Sequence, residues 1–247
     1  MGEGYIFDDI DIEGEIEPFL EYFLEMRARC VPEDLPSKLA LFRKLLALPN
    51  EARPRTNRAA DVSGKHRSES RDQQAIEYHY DGPPSEFYRL CLGKYMQYTC
   101  NYFTSPDEDI DTAQERKLEH ICRKLNLKPG ERLIDFGCGW GGLITYAAKH
   151  YGVEAVGVSI SKEQIKWINR LVEEEGLQGR CRVEYCDYRR FPESQPFDKA
   201  VSVGFIEHLG LKMMPTFFGK VMRLLKPGGL YLHHGITMRP FGKFPPW

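Results

Sequence analysis

Residues 133–142 read LIDFGCGWGG: a short apolar run passes straight into a turn with four glycines in six positions, Gly137, Gly139, Gly141 and Gly142. Nothing else in the chain restricts the fold so sharply. A turn without side chains lets a ligand approach the main chain directly, and glycine tolerates the left-handed dihedrals such a path needs. A helix is expected from Gly142 to about His150, with its first amides facing the same spot. A bare loop at the carboxyl end of a parallel strand is where open α/β sheets hold nucleotide-like cofactors.

From Asp111 onward the pattern is one of regular alternation. Asp111 is expected to N-cap a helix running to about Leu125, with Gln114 completing a capping-box-like pair. Pro129-Gly130 then turns the chain into a strand over Arg132–Phe136. Further strands are expected at Glu154–Val158, Arg182–Tyr185, Lys199–Val203 and, after the Lys226-Pro227-Gly228-Gly229 turn, Leu230–Gly235. Helices are expected over Lys162–Glu175 and about Met213–Leu225. Strands and helices at this spacing imply a Rossmann-like α/β fold, a mostly parallel sheet with right-handed crossovers and helices on both faces.

Upstream the periodicity differs. Ile16, Phe19, Leu20, Phe23 and Leu24 form the stripe of an amphipathic helix. A second helix is expected from Ser37 to Leu48, with Leu39, Phe42, Leu45 and Leu46 inward and Pro49 ending it. Residues 1–49 therefore read as an N-terminal helical segment, packed on itself or on the main body. Residues 50–72 are polar, without apolar periodicity, and read as a linker. Its Arg53, Arg55, Arg58, Lys65 and Arg67 suit a solvated tether better than a lipid-binding patch. Residues 73–247 form the main domain.

Composition narrows the class. The chain has 247 residues, 42% hydrophobic and 28% charged, the balance of a soluble globular protein. A net charge of −2 gives no global pull toward nucleic acid. Seven cysteines with no Cys-x-x-Cys pair argue for reduced thiols and against a disulfide framework or a zinc site. The acidic start, MGEGYIFDDIDIEGE, lacks the order of a signal peptide, and no run nears the roughly 18 apolar residues of a membrane span. A cytoplasmic protein is expected, with peripheral membrane contact left open.

Gly137, Gly139 and Gly142 satisfy G-x-G-x-x-G, which alone is weak support for a dinucleotide. A nicotinamide enzyme also places an acid at the tip of its second strand, and here the tip reads Gly157-Val158-Ser159-Ile160-Ser161. Asp135, just before the glycines, is better placed for the amino group of a methionine moiety than for a pyrophosphate.

Several separated segments resemble one family in order and spacing. Phe136-Gly137-Cys138-Gly139-Trp140-Gly141-Gly142, followed by Tyr146-Ala147-Ala148 and Tyr151-Gly152-Val153, resembles the cyclopropane-fatty-acid synthase family of class I methyltransferases. Gly157 to Gln164 resembles that family's second strand, where Ser159 and Gln164 stand in for the usual acid, and Asp187-Tyr188-Arg189 resembles its adenine-side loop. Tyr98-Thr99-Cys100 is similar to its Tyr-Ser-Cys element, Gly204 to Gly210 to its Glu-His loop, and His234-Gly235-Ile236 to its His-x-Ile element. The likeness covers about residues 73–240.

The resemblance implies S-adenosylmethionine as methyl donor, held by Tyr98, Thr99, Asp135, Gly137, Cys138, Gly139, Gly141, Ser159, Ile160, Gln164, Asp187 and Tyr188. It implies bicarbonate beside it, held by the side chains of Glu207 and His234 and by backbone groups of Cys100 and Ile236. Strand alternation lets only one of His233 and His234 face the site, and the family's spacing favours His234. The implied substrate is the cis double bond of an unsaturated phospholipid acyl chain at a membrane surface. The alkene must meet the sulfonium at near-attack distance, and the resulting cation must lose a proton away from water. Tyr88, Tyr95, Tyr98 and Phe103 are candidates to line the acyl tunnel and stabilise the cation. An amine N-methyltransferase and a non-catalytic donor- or lipid-binding module are the alternatives; a homodimer is left open. Family members run on past the fifth strand into antiparallel strands and a lid. The resemblance therefore implies a domain incomplete at its C-terminus.

Overall fold

The computed structural model describes residues 12–30, 34–47, 62–65 and 68–236. The expectations for Pro49, Arg53, Arg55, Arg58, Arg67 and the stretch from 237 onward lie outside the described residues. The chain divides into two compact units, Met1–Arg58 and Ala59–Trp247.

In the first unit, α1 spans Ile16–Cys30 and α2 spans Leu35–Leu46. Asp34 begins α2, its carboxylate accepting from Ser37 N at 2.8 Å. The expectation that Leu39, Phe42 and Leu46 turn inward is not met: they are 50%, 57% and 69% exposed. Two short helices offer too little surface to enclose a core.

The second unit opens with α3 (Glu69–Ile76), a π-helical turn at Glu77–Asp81, and α4 (Ser85–Leu92). The linker expected to residue 72 thus ends at Ser68, which N-caps α3 through Arg71 N. None of the α3 residues is buried. The helix is held by polar contacts instead, so it leaves no apolar periodicity to read. Next comes α5 (Ile110–Lys124), capped by Asp109 rather than Asp111: Asp109 accepts from Thr112 N at 2.9 Å and from the Thr112 hydroxyl at 2.6 Å.

Then follow β1 (Arg132–Phe136), α6 (Gly142–Tyr151), β2 (Glu154–Ser159), α7 (Lys162–Glu174), β3 (Cys181–Tyr185), β4 (Phe197–Val203), α8 (Ile206–Leu209), α9 (Met214–Leu224) and β5 (Leu225–His234). The sheet order is β3-β2-β1-β4-β5, and every pairing is parallel. β5 starts earlier than expected because the Lys226–Gly229 turn is a bulge inside the strand: Phe197 pairs Leu225 while Lys199 pairs Leu230. Alternation along β1 buries both faces. Leu133 packs with Leu118, Ile144 and Ile168, whereas Ile134 and Phe136 pack with Phe197, Phe217 and Val221.

Candidate active site

The carboxyl ends of β1, β2 and β4 surround a cavity in two chambers that share Tyr80, Gly137, Gly139, Gln164 and Gly204. The turn after β1 forms its floor. Gly137 has φ 70°, and a Cβ there would lie 2.4 Å from the Phe205 ring, so neither the conformation nor the space admits a side chain. At Gly139 (φ 54°) a Cβ would meet nothing within 4 Å: the protein leaves room there for something else. Gly141 does not line the cavity. A Cβ on it would strike Ile168 at 2.7 Å, which makes it a packing glycine.

One chamber is walled by Ser159, Ile160, Asp187 and Tyr188, with Asp72, Ile76 and Tyr80 closing it from the α3 arm. The tip of β2 carries no acid. Ser159 Oγ instead donates to Gln164 Oε1 at 2.8 Å, which leaves the Gln164 amide hydrogens for a ligand. Arg189 joins the arm to the loop after β3, pairing with Asp187 at 2.5 Å and with Asp72 at 3.1 Å. Asp81 completes the clasp, accepting from Ser161 Oγ and from Lys162 N and Glu163 N at the start of α7.

The other chamber is walled by Tyr98, Thr99, Asp135, Cys138 and Trp140. Asp135 is 3% exposed; burial pushes its carboxyl up to about 7, with the Lys117 ammonium pulling the other way. Burial lowers Lys117 to about 8.

At the outer rim, residues 29 apart in sequence meet: Glu207 Oε1 accepts from Ile236 N at 2.6 Å. The Ile236 amide is thus donated to Glu207 rather than held open. The two histidines diverge as alternation requires. His233 Nδ1 lies 3.0 Å from Ser202 Oγ, on the face where Tyr231 packs against Phe217. His234 is exposed at the end of β5, its carbonyl accepting from Gly204 N. Among the described residues, no hydrogen bond joins the His234 imidazole to Glu207 or to the exposed Cys100.

The aromatic expectations divide. Tyr88 and Tyr98 lie in one cluster with Tyr80, centroids 5.9–6.3 Å apart. Tyr95 instead packs on Tyr146 of α6, and Phe103 lines a separate surface hollow, because the segment between α4 and α5 turns them away. Tyr80 is the functional candidate missed in sequence. It lines both chambers, and burial pushes its hydroxyl up to about 12 with Glu207 contributing. The sequence signal that could find it is its place beside Asp81, whose carboxylate is the clasp.

Residues 67–243 match the family described as mycolic acid cyclopropane synthetase. The chain belongs to this family. Among its curated members' relatives, a probable fatty acid methyltransferase of Mycobacterium tuberculosis is 45% identical over 189 residues, 76% of this chain and 43% of that protein. The cyclopropane-fatty-acyl-phospholipid synthase of Escherichia coli K12 is 46% identical over 158 residues, 64% of this chain and 39% of that enzyme. The chain therefore spans less than half the length of these curated relatives. The solved mycolic acid cyclopropane synthase complexed with SAH (S-adenosylhomocysteine) and CTAB superposes with a TM-score of 0.61 at 34% identity, over 65% of this chain and 55% of that one. The family member described here thus has the class I methyltransferase fold.

Proposed function

We propose that the protein transfers a methyl group from S-adenosylmethionine to the cis double bond of an unsaturated phospholipid acyl chain, and that deprotonation then closes a cyclopropane ring. The observation that carries this reading is the divided cavity, with Gly139 left bare, Asp135 buried in one chamber and Ser159–Gln164 in the other. When bound, the donor supplies an electrophilic methyl on its sulfonium. Asp135 suits its ammonium, and Gln164 sits where both halves meet. Tyr80, Tyr88 and Tyr98 offer π faces to a cation formed beside them. α4 turns Tyr88 into that cluster while leaving Phe87 and Leu90 exposed at 52% and 87%, an apolar approach for a lipid surface.

In atom balance, the methyl carbon bonds to one alkene carbon as its bond to sulfur breaks, leaving SAH and a carbocation. Loss of a proton from the new methyl supplies the electron pair that closes the ring. By family resemblance, Cys100, Glu207, His234 and Ile236 would hold bicarbonate, the base for that proton. Glu207 and Ile236 are neighbours as this requires, although the Ile236 amide is engaged by Glu207.

Mass spectrometry of unsaturated phospholipid vesicles incubated with the protein, bicarbonate and methyl-trideuterated donor tests the reading. Lipid retaining two deuterium atoms is expected. Three would mean methyl branching without proton loss from the methyl. No labelled lipid, with donor binding confirmed separately, would overturn the lipid reading in favour of an amine substrate or a binding module.

A further inference from the structure

One face of α5 carries polar residues at three-residue intervals, and all three grip a single short segment. Asp111 Oδ1 accepts from Lys94 N at 2.7 Å, and Gln114 Nε2 donates to Leu92 O at 2.7 Å. Lys117 Nζ donates to Gln97 Oε1 at 3.1 Å and to Thr99 Oγ1. Residues three apart share a helix face, so 111, 114 and 117 act together as a clamp on residues 92–99. That segment needs holding. Met96 is buried with φ 51°, a conformation that side chains resist. The segment also crosses two glycines closely: a Cβ on Gly142 would lie 2.2 Å from Tyr95 O, and one on Gly204 would lie 2.5 Å from Thr99 Cγ2.

Lys117 is 6% exposed and stands behind the wall, whereas Gln97 and Thr99 line the chamber itself. An ammonium only donates hydrogen bonds. The oxygens of Gln97 and Thr99 are therefore committed as acceptors, and the Thr99 hydroxyl proton must point elsewhere. The Gln97 amide donates to Tyr95 O, so the Thr99 hydroxyl is the donor that a buried cation backs; it suits an anion, and Asp135 in the same chamber suits a cation. At neutral pH the lysine keeps its proton, although burial lowers it to about 8 against the pull of Asp135 and Cys100.

We infer that Lys117 is a positioning residue: by accepting no bond and donating to Thr99, it fixes the Thr99 hydroxyl as a donor to the carboxylate of the methyl donor's amino-acid end. The inference rests on the donor assigned to this cavity above. Asp135 and Lys117 then divide the amino-acid end between them, one serving its ammonium and the other, through Thr99, its carboxylate.

The test uses two ligands that differ by that carboxylate alone, S-adenosylmethionine and decarboxylated S-adenosylmethionine, titrated calorimetrically into the full chain. Wild type is expected to prefer the carboxylated ligand. Lys117→Met should lose about tenfold in affinity for it, the size of one charge-assisted hydrogen bond, while binding the decarboxylated ligand as wild type does. Thr99→Val should show the same selective loss, and Lys117→Arg should recover part of the preference. A parallel loss of both ligands, an unchanged preference, or a Lys117→Met protein that does not fold beside a Thr99→Val protein with normal preference would each overturn the inference. Wild type that binds neither ligand would instead sink the donor assignment.

Discussion

Asp135 is a carboxylate buried in the chamber it shares with Tyr98 and Thr99, and under the proposed function its protonation would tie stability to donor binding. Unfolded, an aspartate ionises near 4; in the fold burial raises it to about 7. Between these values the folded chain keeps a proton that the unfolded chain has released. Stability of the ligand-free protein should therefore fall as pH rises from about 4 to about 7. Lys117 acts in the opposite range: lowered to about 8, it has lost its proton where the unfolded lysine still holds one, so stability should recover between about 8 and 10.5. Lys117, Cys138 and Tyr231 are the titratable groups that feel Asp135. A donor ammonium placed beside the carboxyl would favour its ionised form, so binding should release a proton below pH 7 and affinity should rise toward neutrality. Calorimetry in buffers of different ionisation enthalpy reads that proton. Asp135→Asn should abolish the release, weaken donor binding about tenfold or more, and melt higher than wild type at pH 7.5 without ligand.

At the scale of elements, the arm of α3 and its π-helical turn is held over the chamber walled by Ser159, Asp187 and Tyr188 by polar contacts, among them Asp72 to Arg189, Gln73 to Tyr185, Glu69 to Arg190, and Asp81 to the start of α7. Asp81 works as a helix cap lent by another element. Asp81→Ala leaves the Lys162 and Glu163 amides without that acceptor and should cost roughly 1–3 kcal/mol. The expected signature is faster hydrogen exchange confined to residues 69–81 and the first turn of α7, together with weaker donor binding through the loosened Tyr80 wall. Unchanged exchange would mean that the other polar contacts of the arm, those of Asp72 and Gln73 with the Glu69–Arg190 and Glu77–Lys162 pairs, suffice to hold it. This arm also marks the limit of what the sequence reveals. The central strands β1, β2 and β4 announce themselves because both faces are buried, so each carries an apolar run between turn residues, and the glycine turn announces itself because its backbone needs glycine. α3 has no buried residue and therefore no periodicity, which is why residues 69–72 read as linker. Asp111 and Gln114 have the spacing of a capping box, yet both side chains turn to the 92–99 segment, a tertiary contact that no local pattern encodes. The same holds for Tyr80, Tyr95 and Phe103, whose roles depend on which way one loop runs. Glu207 and Ile236 are 29 residues apart and carry no local pattern that links them beyond family likeness; the fold brings the Ile236 amide to 2.6 Å from Glu207 Oε1.

At the scale of the whole molecule, the donor cavity is where separate layers meet. The glycine turn belongs to β1 and α6, Ser159 and Gln164 to β2 and α7, Gly204 to the end of β4, and Tyr80 to the N-terminal arm. A ligand that touches all of them can only bind the folded chain, so it should stabilise the fold by mass action. At a hundred times its dissociation constant, SAH should add about 2.7 kcal/mol. For a unit of this size that corresponds to a rise of roughly 5–10 °C in melting temperature. Differential scanning fluorimetry with increasing SAH checks it, and the shift should grow with the logarithm of ligand concentration. The location of the gain is as informative as its size. Hydrogen exchange should slow in the turn after β1, at the start of α7 and in the arm, while α1 and α2, in the other compact unit, exchange as before. A thermal shift without added protection in the arm would mean that the arm does not close on the donor. It would leave the sheet edge and the glycine turn to bind the cofactor alone.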